Sequence, residues 1–221
     1  MILLLLVIGL AVVVGYLFGG RLGAFEHFRL RWWGLVIAGL AIQLVPLPEG
    51  GAGTDLVVRT VALSVSYTLL VAFALANVRL PGMPLVLVGL ACNFLVIAAN
   101  GGMPVSEEAL IDSGQADVVP MLRVDGSDKH HLMDEDDVLT FLADVIGIPK
   151  PIGQAISVGD LFIYTGLIWL TIAAMRGRSP SSPRERGPYR GKHRPRAPDA
   201  DPGSPTPAEP LPATTRSGTG P

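Results

Sequence analysis

Charge is what this sequence has least of for its length. Only 16% of its 221 residues are Asp, Glu, Lys or Arg, against roughly 25% in an average soluble domain. Cysteine is nearly absent. The one copy, Cys92, lies inside an apolar block, which excludes an intrachain disulfide and fits a small buried hydrophobe. There is no G-x-S-x-G, no Walker A pattern, no H-E-x-x-H and no paired C-x-x-C, so the common signatures of hydrolases, nucleotide-binding enzymes and zinc sites are missing. The net charge is −2 and most basic residues gather in one tail, which argues against a nucleic-acid binder. What the chain does have is apolar surface. Hydrophobic residues make up 49% of it, and the mean hydropathy is +0.46. This balance excludes a disordered chain and an ordinary soluble enzyme, and it points to an integral membrane protein.

A helix needs about 20 mainly apolar residues to cross the hydrocarbon core. Five blocks approach that length: 1–18, 32–47, 60–76, 84–99 and 158–175. The first has no basic n-region and ends in Tyr16-Leu17-Phe18-Gly19, a poor cleavage site, so it is expected to be a retained span rather than a signal peptide. The second is barely long enough. Arg21, Arg29 and Arg31 lie between the first two blocks, and Arg79 lies between the third and fourth. Nine basic residues follow the fifth block, whereas the region 100–157 holds eleven acids against Arg123, Lys129 and Lys150. Cytoplasmic loops are enriched in Lys and Arg. The expected topology therefore has five spans, an outside N-terminus, a cytoplasmic C-terminus and an extracytoplasmic 100–157 region. Trp32 and Trp33 then fall at the inner interface. The expected fold class is all-α: a membrane bundle of about five helices with a helical cap between spans four and five.

Within the cap, Asn100-Gly101-Gly102-Met103-Pro104 is a helix stop. Ser106 can cap a short helix with Glu107 and Glu108 in its first turn, ending by Gly114. A second helix is expected over Asp134–Gly147. Asp134 is its N-cap, Met133 and Val138 form a hydrophobic staple, and Val138, Phe141, Leu142, Val145 and Ile146 share one face. Packing on the bundle fits this acidic helix better than lying on anionic lipid.

Few residues suggest chemistry. Lys129-His130-His131, with Asp134 and Asp137, groups imidazoles and carboxylates, although the spacing matches no zinc motif. A solvated polar turn leading into a capped helix is the plainer reading. Ser157-Val158-Gly159-Asp160 has the form of a capping box. Asn93 and Asn100, seven residues apart, lie on nearly one helix face and can form a polar stripe reaching toward Asp160. An interhelical hydrogen bond is the plainer role for a buried Asn, and Ser64 and Thr68 can be read the same way. Gly15-x-x-x-Gly19-x-x-x-Gly23 permits close helix approach, or it merely adjoins a turn. No metal or cofactor is expected. The tail 176–221 holds eleven prolines and one aromatic, Tyr189. It is disordered by composition, and its run Arg184–Arg196 can contact anionic lipid.

Several strings together resemble a bacterial family: Leu30-Arg31-Trp32-Trp33, Asn100-Gly101-Gly102-Met103-Pro104-Val105, Lys129-His130, Leu142-Ala143-Asp144-Val145-Ile146 and Ser157-Val158-Gly159-Asp160. They are similar to the small multi-pass membrane proteins grouped as domain of unknown function 5317, over roughly residues 1–175. The resemblance implies a membrane protein and carries no activity and no catalytic residues. The tail lies outside it. Two functions remain open. One is a non-catalytic accessory or interaction component of the bacterial envelope. The other is an envelope enzyme or small-solute carrier with a polar site at Asn93, Asn100 and Asp160, joined by His130 or Asp144.

Overall fold

A computed structural model describes residues 2–45, 53–124 and 129–177. The tail beyond 177, and with it the expected disorder and lipid contact, lies outside the described residues. The body is mostly helical. Its long helices are α1 (Ile2–Leu17), α2 (Trp33–Leu44), α3 (Gly53–Ala76), α4 (Met83–Asn100) and α7 (Val158–Met175). Three segments are long and apolar enough to cross a membrane: Leu56–Ala76, Met83–Asn100 and Val158–Met175. Helices α1 and α2 are apolar but shorter.

The helices pack in the order α2, α3, α4, α7, α1; the α2–α3, α3–α4 and α4–α7 neighbours run antiparallel, while α1 runs parallel to α7. The Arg21 amide donates to the Met175 carbonyl at 2.8 Å, which puts the end of α1 beside the end of α7. Asn77 ties the other edge. Its side chain accepts from the Arg31 amide and donates to the Arg31 carbonyl, both at 2.8 Å, so the start of α2 is clamped to the end of α3. At the opposite end, the Thr60 hydroxyl donates to the Gly101 carbonyl at 3.3 Å, joining the start of α3 to the end of α4. The basic connections around Arg21, Arg31 and Arg79 thus lie at one end of the bundle, and the 100–157 region caps the other.

The central seam joins α4 to α7, and glycine makes it. Gly82, the residue that caps α4, and Gly89 within it face Gly166 and Gly159 on α7, each pair seven residues apart. A Cβ on Gly89 would overlap the Gly159 carbonyl oxygen, and one on Gly166 would fall 2.7 Å from the Gly82 carbonyl oxygen. Small residues at heptad spacing therefore bring the two backbones together. Gly15 and Gly20 serve α1 similarly, since a Cβ at either would strike Met175. Leu70, Phe73, Leu80, Met83, Val86 and Leu90 fill the core beside the seam. Cys92, expected buried, is half-buried.

The cap departs from an all-α reading. It contains two small sheets. In one, β1 (Met103–Val105) pairs in parallel with β2 (His130–Leu132). In the other, β3 (Ile146–Ile148) pairs antiparallel with β4 (Gln154–Ile156). Two short helices, α5 (Glu107–Asp112) and α6 (Val119–Val124), complete it. Ser106 caps α5 as expected, its hydroxyl accepting from the Ala109 amide at 3.0 Å. Pro104 tolerates its place in β1 because its carbonyl faces away from β2, toward Asp144, whose amide donates to it at 3.1 Å. The missing N–H of proline leaves no rung unfilled there.

The helix expected over Asp134–Gly147 does not form. Asp134 Oδ1 accepts from the Asp136 amide and Asp137 Oδ2 accepts from the Asp134 amide, both at 2.9 Å, so these acids close a turn. Asn100 then takes both backbone groups of Val138 at 2.9 Å, and Leu139 adopts a left-handed conformation at φ 57°. Short polar side chains that satisfy nearby backbone compete with helix formation. The remaining apolar residues are used singly: Ala143 is buried among Leu63, Val96, Ile97 and Met103, while Phe141 stays exposed.

The glycine seam sets a stability test. Gly89→Val should lower the thermal midpoint in detergent by the equivalent of about 1–3 kcal/mol of overpacking. Gly9→Val, where a Cβ meets nothing within 4 Å, should leave it nearly unchanged.

Candidate functional site

Four elements meet where α4 and α7 pass under the cap. Ser157 precedes α7, and its hydroxyl accepts from the Asp160 amide at 3.0 Å, while Asp160 Oδ2 accepts from the Ser157 amide at 3.3 Å. This is the capping box expected from the sequence. Asn93 of α4 completes it from across the seam. Its Nδ2 donates to Asp160 Oδ1 at 2.9 Å, and its Oδ1 accepts from the Ser157 hydroxyl at 2.9 Å. A ring of hydrogen bonds results, with Asn93 only 2% exposed and Ser157 fully buried. Gly159 makes room for it, since a Cβ there would overlap Asn93 Oδ1.

Asp144 joins from the cap. Its backbone bridges to Val105 on the edge of β1 opposite β2, so β1 holds Asp144 on one side and His130 on the other. His130 Nε2 lies 3.6 Å from Asp144 Oδ2. Asp144 is 6% exposed. Burial, then the neighbouring Asp160 carboxylate, push its carboxyl up to about 8 from an ordinary value of 3.8.

The histidine–acid cluster of the sequence is split by strand geometry. Successive strand residues face opposite ways, so His130 turns to Asp144 while His131 pairs with Asp137 at 2.8 Å. Among the described residues, no three His, Cys, Asp or Glu side chains gather to hold a metal ion. Asn100 also leaves the expected stripe. It binds Val138 and lines a different cavity, of about 830 Å³, with Arg59, His131 and Asp137. Ser64 and Thr68 do not reach another helix: the Thr68 hydroxyl donates to the Ser64 carbonyl at 2.7 Å.

Of the five candidate residues, then, Asn93, His130, Asp144 and Asp160 come together and Asn100 does not. The four line an inner cavity of about 140 Å³ with Gln43, Tyr67 and Lys129. His130, Asp144 and Asp160 also line an outer cavity of about 590 Å³ between the cap and the bundle. Gln43 and Tyr67 are the participants that sequence patterning missed, and Ser157 was read only as the cap of α7, without its bond to Asn93. Gln43 alone carried a signal, as a polar residue inside an apolar block. In the structure its amide donates to Ser66 at 2.9 Å, and Ser66 donates to the Gly39 carbonyl at 2.8 Å.

These elements fall within a region found in other proteins. A family of unknown function (DUF5317) matches residues 27–172. This chain belongs to that family. The match takes in every residue of both cavities except Ile2 and leaves out α1 and the tail. An uncharacterised protein of Thermotoga maritima is 31% identical over 112 residues, which is 49% of this chain and 61% of that relative. The matched stretch thus spans about three-fifths of the relative's length. No solved structure matches.

Two outcomes follow from the site. Asn93→Ala removes the donor and acceptor that join α4 to the capping box, and should cost about 1–3 kcal/mol, measured as a lower thermal midpoint. The Asp144 carboxyl keeps its proton in the folded state to about pH 8, whereas the unfolded chain releases it near 3.8. The folded state binds the extra proton between those values, so this group's contribution to stability falls as pH rises from about 4 to 8. Asp144→Asn should therefore gain stability relative to the parent when both are compared at pH 5 and at pH 8.5.

Proposed function

We propose that this protein is a five-pass component of the bacterial plasma membrane that holds a small polar solute beneath an outward-facing cap, without itself performing catalysis. The observation that carries the reading is the placing of Asp144 and Asp160 on two cavities at once, at the joint between cap and bundle. A few convergent polar groups in a mostly apolar concavity are the usual form of a small-molecule site. Ser157 is engaged with Asn93 and with the α7 terminus, which favours binding over nucleophilic chemistry.

The membrane topology is supported by three features. The five long helices alternate in direction. The bundle end carrying Arg21, Arg31 and Arg79 suits the cytoplasm, because positive loops are retained there. The acidic cap then faces outward, with the N-terminus outside and the basic tail inside, placed to contact anionic lipid. Helices α1 and α2 are short for a full crossing, and local bilayer thinning accommodates such segments at modest cost. A second reading, a purely structural accessory protein, is favoured by the closed Asn93–Ser157–Asp160 ring, which satisfies these side chains without a ligand.

Sided thiol labelling checks the topology. In a Cys92→Ala background, Glu108→Cys in the cap should react with an impermeant maleimide on intact cells, and Glu26→Cys at the opposite end should react only after lysis. The reverse pattern overturns the orientation. For the solute, thermal-shift screening of the purified full chain against amines, amino acids, sugars and carboxylates should find one class that raises the midpoint in the parent and not in Asp144→Asn. If no class shifts a well-folded parent, the scaffold reading takes its place.

A further inference from the structure

The outer cavity has an unusual division of labour. Its walls are largely apolar, built from Val105, Leu110, Val118, Leu122 and Ile152, with the amides Gln115 and Gln154 among them. Among its described lining residues, the titratable ones are His130, Asp144 and Asp160, and Lys and Arg do not occur. Both carboxylates also line the inner cavity, so they sit where the two spaces meet. Asp160 is fixed there by Asn93 and the capping box, and Asp144 by its backbone bridge to β1. Neither has to move to receive a ligand, which limits the ordering cost of binding.

We infer that the outer cavity takes a small organic cation, an ammonium carried on an apolar body, with the charged head between Asp144 and Asp160 and the apolar part against Leu110, Val118, Leu122 and Ile152. This rests on the reading of the pocket as a solute site and adds the charge and shape of the solute. An anion would meet two carboxylates with no Lys or Arg among the described lining residues to offset them. A neutral polar solute offers no positive charge to these acids from the outer cavity, whereas a cation there favours the ionised form of both carboxyls. A phospholipid headgroup is disfavoured for a similar reason, since its phosphate would lack a cationic partner in that lining. The volume of about 590 Å³ lies within the range of roughly 300–1,000 Å³ of small-molecule pockets.

Charged thiol reagents test this directly. In the full chain in detergent, with Cys92→Ala, Val118→Cys places a thiol in the cavity wall and Glu108→Cys places one on the exposed cap. Each is treated at pH 8.5, above the value of about 8 for the Asp144 carboxyl, with the trimethylammonium-ethyl and the sulfonato-ethyl methanethiosulfonates. The cation-to-anion rate ratio at 118 should exceed that at 108 by about tenfold or more, equivalent to about 1.4 kcal/mol. Asp144→Asn, and separately Gln154→Lys at the cavity lining, should bring the two ratios together. Benzylammonium should slow modification at 118, while benzyl alcohol and benzoate should not. An equal ratio at both sites, or protection by benzoate or benzyl alcohol instead, overturns the cationic assignment while the pocket stands. A thiol at 118 that neither reagent reaches in the folded protein means there is no accessible cavity, and the solute-binding reading falls with it. Gln154→Lys keeps the test open should Asp144→Asn fail to fold, because it adds charge to the lining without removing a side-chain contact seen in the structure.

Discussion

The seam between α4 and α7 is the constraint on which the rest of the molecule depends. Gly82, Gly89, Gly159 and Gly166 let two backbones come closer than side chains would allow, and at that separation Asn93 reaches the capping box of α7. In an apolar environment water does not compete for these groups, and an unsatisfied amide would be expensive. The ring of Asn93, Ser157 and Asp160 answers that cost by closing on itself. It also fixes the rotation of α7 against α4. Once that rotation is set, the cap that joins the two helices has defined anchor points at Gly101 and Ser157.

Much of the bundle was legible from hydropathy. The bounds of α4 and α7 fall within a residue of the apolar blocks, because continuous apolar runs with glycine or serine at their ends leave little freedom over where a helix starts and stops. The capping box at Ser157 and the cap at Ser106 were equally readable, since each is a local motif whose partners lie three residues away. The reach of Asn93 to Asp160 was visible only as a shared direction, and the glycine heptads on α4 and α7 went unremarked. Each heptad alone is two glycines in an apolar run. Their meaning lies in the pairing of two helices separated by the whole cap.

The Asp134–Gly147 segment shows where local reading gave way. Its helical periodicity was real, yet Asn100 captured Val138, the acids closed a turn, and Asp144 was drawn to the free edge of β1. Those partners are brought in by the fold and are distant in sequence. The same tertiary override divided the His130–His131 pair between two cavities. A strand of three residues was enough to do so, because alternation of faces needs only two.

The position of Asp144 is the one element that stability alone does not explain. Burying a carboxyl beside a second one carries an electrostatic penalty, and His130 at 3.6 Å is too distant for a hydrogen bond that would offset it fully. An asparagine or leucine would fit an interface whose sole task was to dock a cap on a bundle. Asp160, by contrast, has its local reason in the helix terminus. The pair therefore combines a carboxylate that the fold needs with one that the fold tolerates. Groups strained by burial and by a like charge at a cavity wall are the pattern expected of functional sites, and a positive partner arriving from solution relieves both terms at once. That is the physical basis for placing function at the joint between cap and bundle rather than on the more polar, more exposed acids of the turn at Asp134–Asp137.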